Sequence, residues 1–256
     1  MRIRCCKSWT RRVLAALLTI TTLAGRSAAD SNDNKAEESR FIDHSLIVAP
    51  DFPCTWPSHP IPRFQIIHER TIGPHSAYNI DVLLIDGNTG TQMDAPPHSV
   101  ARPELKRDKS GPHGLTYTDK IEAWQFGGEA CVIDVRDLLD RASPGVSPLV
   151  TPEYVKRFEQ QHRGLRFGDV VLFRSDYSDK FYRPFPDGNR FLNDPLSRKT
   201  AGFPDPNPDC MEYLATRGVL TLGTDSPSMG PIPDLAEPTH YAGLKHGMIW
   251  TEAAPK

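Results

Sequence analysis

Within eleven residues, Asn88-Thr89-Gly90-Thr91-Gln92-Met93-Asp94-Ala95-Pro96-Pro97-His98 gathers four side chains that can bind a cation or carry a proton. Asn88 and Gln92 offer amide oxygens, Asp94 a carboxylate and His98 an imidazole. Spacings of four and two let Asn88, Gln92 and Asp94 converge at the end of one strand, while Gly90, Pro96 and Pro97 shape the turn around them. Oxygen donors of this kind suit a hard or borderline divalent cation, manganese or zinc rather than copper. His98, four residues beyond Asp94, is placed either to ligate that cation or to shuttle protons for the water it activates. The same residue types also make ordinary turns, so composition alone leaves a loop without chemistry open.

Short β-branched and aromatic runs predict the strands that must position these groups: 41–48, 64–69, 78–86, 130–135, 169–174, 219–224 and 247–251. Thr151-Pro152 opens a helix that buries Tyr154, Val155 and Phe158 and ends near Gly164. Asn207-Pro208 opens a second, with Met211 and Leu214 inward and a stop at Gly218, and 135–141 reads as a short helical piece. The Pro-rich stretches 185–208 and 226–238 read as long loops. Residues 185–204 are expected to be surface decoration, and 226–238 part of the site. Strands with few helices imply an α/β fold.

The chemistry-bearing segment resembles the HxGTHxDxPxH signature of the cyclase family of metal-dependent hydrolases, kynurenine formamidase and isatin hydrolase among them. Gly90, Thr91, Asp94, Pro96 and His98 match; Gln92 stands where His is usual, as in the isatin hydrolase branch, and Asn88 replaces the first His. Other features follow in the family's order. Phe41-Ile42-Asp43-His44-Ser45-Leu46 with Trp56-Pro57 resembles its opening strand and substrate-side Trp-Pro. Gly168 to Ser175 resembles GDxVLxxT, and Gly223-Thr224-Asp225-Ser226-Pro227-Ser228 resembles GxDxPS. His240 lies twelve residues before Glu252, the spacing of the late ligands.

The resemblance implies a single domain with a central mixed, barrel-like β core and flanking helices, of the swivelling β/β/α type. It implies metal ligands at Asn88, Gln92, Asp94, His240 and Glu252, proton transfer by His98, and Trp56 stacked on a planar aromatic substrate. With imidazole replaced at two positions, the donors favour one ion over a zinc pair and lean towards manganese. The activity so implied is hydrolysis of a C–N bond in a cyclic or N-formyl aryl amide. Asn88 and Gln92 leave open a non-catalytic relative that binds a small ligand, and the family's name leaves open a lyase or cyclase. His44, His59, His68, His75, His113 and His162 have no motif support and read as structural.

The ends carry separate expectations. Arg2, Arg4, Lys7, Arg11 and Arg12 precede an apolar run, 13–25, and Ser27-Ala28-Ala29 offers a cleavage site, so residues 1–29 read as an export signal, with Arg11-Arg12 similar to a twin-arginine motif. Residues 30–40 read as a polar, flexible leader and 41–256 as the catalytic domain. Removing 1–29 takes away six positive charges and no acidic ones, moving the formal charge from −2 to −8. An acidic chain without a basic run argues against nucleic acid, and nothing after residue 29 predicts stable membrane insertion. Cys54, Cys131 and Cys210 lack CxxC spacing, which excludes a zinc knuckle, and Cys131 reads as a buried thiol. Only four residues follow Glu252, where the resemblance implies a further strand-rich segment. Either those elements are dispensable or the product is truncated. The sheet edge so exposed favours a homo-oligomer.

Overall fold

Alternating burial along 129–134 and 169–174 marks two strands of a sheet packed on one face. The computed structural model describes residues 42–57 and 64–255; the expected signal, the leader, Phe41 and His59 lie outside them. In chain order the strands are β1 (Gln65–Arg70), β2 (Ile80–Leu84), β3 (Gln92–Asp94), β4 (Glu129–Asp134), β5 (Leu149–Val150), β6 (Asp169–Arg174), β7 (Asp205–Pro206), β8 (Thr221–Thr224) and β9 (Ile249–Glu252). The helices are α1 (Pro152–Gln161), α2 (Tyr177–Phe181), α3 (Asn193–Leu196), α4 (Pro208–Thr216) and α5 (Ala236–Leu244). The central sheet runs β3-β9-β8-β6-β4, parallel except where β3 meets β9.

The result is the expected mixed α/β domain, but the sheet ends at β3 and β4, and the barrel-like closure is not seen among the described residues. Cys131, Ile133 and Val135 from β4 and its end, with Val171 and Phe173 from β6, enter one core together with Val155, Met211 and Leu214 of α1 and α4. Asn207 caps α4 through its side chain, which accepts from the Cys210 amide at 3.0 Å. The opposite sheet face is more open, leaving Val132 half exposed beside a groove of about 540 Å³. All three described cysteines are buried.

Three expectations are corrected. Residues 42–48 form no strand; they are pinned by Thr91, whose hydroxyl accepts from the Leu46 amide at 2.9 Å and donates to the Ala253 carbonyl at 2.6 Å. Residues 185–204 are not decoration. Phe191, Leu192 and Phe203 are buried with Tyr177 and Tyr182 in a second core, because their rings outweigh the turn-forming prolines around them. The end of the stretch 226–238, expected as loop, begins α5, which carries His240. Pro238 is tolerated there because the first turn of a helix has no use for its amide proton. Much of α5 is buried, so it lacks the single apolar stripe that announces a helix.

A candidate metal centre

Gln92 and Asp94 are two residues apart on β3, and Trp250 and Glu252 two apart on β9, so each pair shares one face of its strand. Antiparallel pairing sets Gln92 opposite Glu252 and Asp94 opposite Trp250. Four side chains therefore project together from two short strands. α5 adds His240, whose Nε2 lies 3.5 Å from Asp94 Oδ2 and 3.6 Å from Glu252 Oε1. His98, on the single 3-10 turn Pro96–His98, brings Nε2 to 3.8 Å from Asp94 Oδ2, and its ring centre is 5.4 Å from that of His240.

The early and late residues thus meet. Asp94, His98 and His240 each present a ligand atom within 4.8 Å of the others. Asp94, His240 and Glu252 are buried, whereas His98 is exposed at the mouth, as a group exchanging protons with solvent should be. Asn88 lines the adjoining cavity of about 310 Å³ with Asp94 and His98. Gln92 donates from Nε2 to Glu252 Oε2, so its amide holds the carboxylate in place. Trp56 is packed against the second core and does not line that cavity. His44 contacts the Pro255 carbonyl and His68 contacts Asp81.

Several site residues carried no motif. The Trp250 indole N–H lies 3.1 Å from both Asp94 Oδ2 and Glu252 Oε1, one donor shared between two carboxylates. Its place two residues before Glu252 in a predicted strand was a readable signal. The Met229 amide donates to Glu252 Oε1 at 2.6 Å, which draws 226–238 to the site. Gly230 has a steric reason: a Cβ there would stand 2.7 Å from His240 Cε1 and 2.7 Å from Ala236 Cα. His240 Nδ1 donates to the Ala236 carbonyl at 2.7 Å, which fixes the tautomer and leaves Nε2 as the ligand atom. Asp205 is fully buried, and both its oxygens lack hydrogen-bond partners among the described residues. Burial, reinforced by Glu252, drives its carboxyl well above the ordinary range.

The electrostatics fit a cation. Burial opposes charge on His240, yet the Asp94 and Glu252 carboxylates outweigh it and raise the imidazolium to about 10. Burial, with Asp94 nearby, raises Glu252. Two buried carboxylates that turn the same oxygens, Asp94 Oδ2 and Glu252 Oε1, to one indole N–H and to His240 need positive charge, which either a proton or a metal supplies. Carboxylate oxygens with an imidazole are a suitable donor set for a divalent ion.

The family model described as "Putative cyclase" matches residues 42–231. The chain is 28% identical over 209 residues to kynurenine formamidase of Salinibacter ruber, covering 82% of this chain and 79% of that protein. It is 25% identical over 190 residues to isatin hydrolase of Roseibium aggregatum, covering 72% of this chain and 64% of that one. Among solved structures, isatin hydrolase A from Labrenzia aggregata superposes with a TM-score of 0.66 at 22% identity, over 85% of this chain and 81% of that chain. Isatin hydrolase A from Ralstonia solanacearum gives 0.65 at 23%, over 84% and 79%. The buried carboxylate and histidine cluster is thus carried on a shared fold, and the chain belongs to the cyclase family.

Proposed function

We propose that the protein is a metal-dependent hydrolase of the C–N bond in cyclic or N-formyl aryl amides. The observation that carries this reading is the convergence of Asp94, His98, His240 and Glu252 beside an open cavity. Asp94, His240 and Glu252 would hold one divalent ion, manganese before zinc, with Asn88 and Gln92 beside them. Such an ion acidifies water and polarises a carbonyl. His98, exposed and next to Asp94, accepts the proton of the attacking water and returns it to the leaving nitrogen. The Trp250 and Met229 donors hold the carboxylates in register. The names of the two curated relatives support this substrate class.

The test is turnover of isatin and of N-formylkynurenine by the purified chain supplied with manganese or zinc. Activity that survives both chelation and His98→Ala would reject the mechanism. An empty metal site in active-quality protein would instead favour the small-ligand binder.

Export of the chain by its N-terminal signal is also proposed, and fractionation of cells expressing the full sequence checks it. Assembly as a homo-oligomer is supported by the β1–β2 ribbon, whose residues are all exposed. Ile66 pairs with Leu83 on one face and Ile67 with Val82 on the other, so cover is needed on both. Light scattering of the parent and an Ile67→Glu variant measures this: a monomeric parent removes the proposal.

A further inference from the structure

One wall of the cavity that holds Asn88, Asp94 and His98 is made by Tyr117 and Thr118. They follow the 3-10 turn Pro112–Leu115, which packs against the turn carrying His98. The Tyr117 phenol oxygen accepts two hydrogen bonds from Arg102, at 3.1 Å from Nε and 2.8 Å from Nη2, and the guanidinium carbon stands 5.7 Å from the ring centre. Two guanidinium donors take both lone pairs of a hydroxyl oxygen. The O–H hydrogen is then the group's one remaining hydrogen-bonding function, and it belongs to a side chain lining the cavity. Arg102 also polarises that O–H, which strengthens it as a donor.

We infer that Tyr117 is a specificity residue of this site: its O–H, aimed by Arg102, donates to an acceptor oxygen ortho to the scissile nitrogen of an aryl amide. The inference rests on the C–N hydrolase reading and adds to it a determinant of substrate choice. A cavity of about 310 Å³ takes one small aromatic molecule, so an oxygen reached from the same wall as His98 must lie close to the reacting nitrogen. An ortho carbonyl meets that condition; isatin and N-formylkynurenine both carry one. Tyr117 touches the substrate. Arg102 is a positioning residue, acting through the phenol.

The experiment uses the full chain loaded with manganese and two formanilides, one bearing a 2-acetyl group and one without it. The parent is expected to favour the acetyl compound in kcat/KM by about tenfold, the scale of one well-formed hydrogen bond. Tyr117→Phe should remove that preference by raising KM for the acetyl compound alone. Arg102→Met should remove part of it, and Arg102→Lys should restore some. Equal losses on both compounds, or a preference that survives in Tyr117→Phe, overturns the inference and leaves the hydrolase reading standing. If the parent hydrolyses neither compound, the N-formyl arm of the hydrolase reading fails and isatin turnover decides the cyclic arm. Calorimetric binding of 2-aminoacetophenone against aniline then decides the Tyr117 role: a preference lost in Tyr117→Phe supports it, and equal binding overturns it.

Discussion

Of the places where this molecule buries carboxylates near the ends of β-strands, two solve the same problem differently. At the end of β8, Asp225 is met by the Ser175 amide at 3.0 Å, the Ser175 hydroxyl at 2.6 Å and the Tyr177 amide at 3.2 Å, with carboxylate oxygens of Asp176 and Asp179 within 4.8 Å. Burial pushes its carboxyl up and these bonds oppose the shift. The GxDxPS-like turn is thereby tied to the end of the GDxVLxxT-like strand, and Asp225 serves the architecture. At β3 and β9, Asp94 and Glu252 are two charges sharing one indole N–H and turning to histidines. What differs is the company the carboxylates keep: Asp225 faces backbone and hydroxyl donors, whereas Asp94 and Glu252 face each other and His240, the arrangement proposed to take a cation.

The comparison is broken or upheld first by removing each charge in turn. Asp94→Asn is expected to lower activity by at least about a thousandfold and to abolish stoichiometric metal, because a ligand and the carboxylate beside His98 are lost together. Asp225→Asn should leave metal per folded chain unchanged and lower unfolding stability by about 2–3 kcal/mol, since an amide group would face donors that need an acceptor. Metal analysis paired with urea unfolding reads both. Should Asp225→Asn lose its metal while staying folded, the division between the two places is wrong.

His98 follows. Its replacement by alanine should cost about 10²–10⁴ in kcat, the range for a positioned proton-transfer group, with metal content intact. Loss of metal in that variant would reassign His98 from shuttle to ligand, which its place within 4.8 Å of Asp94 and His240 allows geometrically.

How much of this was legible in the residues depended on whether the signal was local. Asp94 and His98 sit in one dense segment, and β4, β6, α1 and α4 followed from alternation, helical spacing and the Thr151-Pro152 and Asn207-Pro208 starts. The late pair could be placed only through the resemblance, since His240 and Glu252 taken singly read as surface groups. The strand-spaced Trp250 and the steric need at Gly230 depend on what lies across β3 and α5, which no local pattern states. Helix α5 was missed because its buried surface is not one stripe, and the burial of Phe191 and Phe203 because proline-rich sequence reads as loop whether or not its rings pack. Tyr117 and Arg102 are fifteen residues apart and join through a turn with no signature.

A smaller effect sharpens the steric side of the site. Gly230→Ala should weaken metal binding by about 10–100-fold, the usual cost of disturbing a group that orients a ligand, because the added Cβ would stand 2.7 Å from His240 Cε1. Gly127→Ala is the control. A Cβ there meets nothing within 4 Å, so affinity should not change. Titration of the metal-free proteins with manganese measures both. Equal affinities for Gly230→Ala and the parent would mean that His240 can shift without consequence.

The mildest expected effect is a slope with pH, and its onset and metal dependence separate the two carboxylate sites. In the metal-free chain His240 is raised from 6.5 to about 10, so its contribution to stability is fully present below pH 6.5 and is lost as pH rises towards 10. A cation must displace that proton, so apparent affinity for manganese should rise about tenfold per pH unit through this window, and His240→Gln should flatten the slope while weakening binding. Asp225 is an acid raised above its ordinary value, so the stability linked to it is greatest below pH 3.8 and falls as pH climbs through the raised value. The loss linked to Asp225 therefore sets in from a lower pH than the loss linked to His240, and it does not depend on metal. Unfolding curves collected from pH 4 to 10 with and without manganese resolve them: a metal-dependent difference growing above pH 6.5 is expected, and a difference constant across the range would show that no proton is exchanged for the ion at His240.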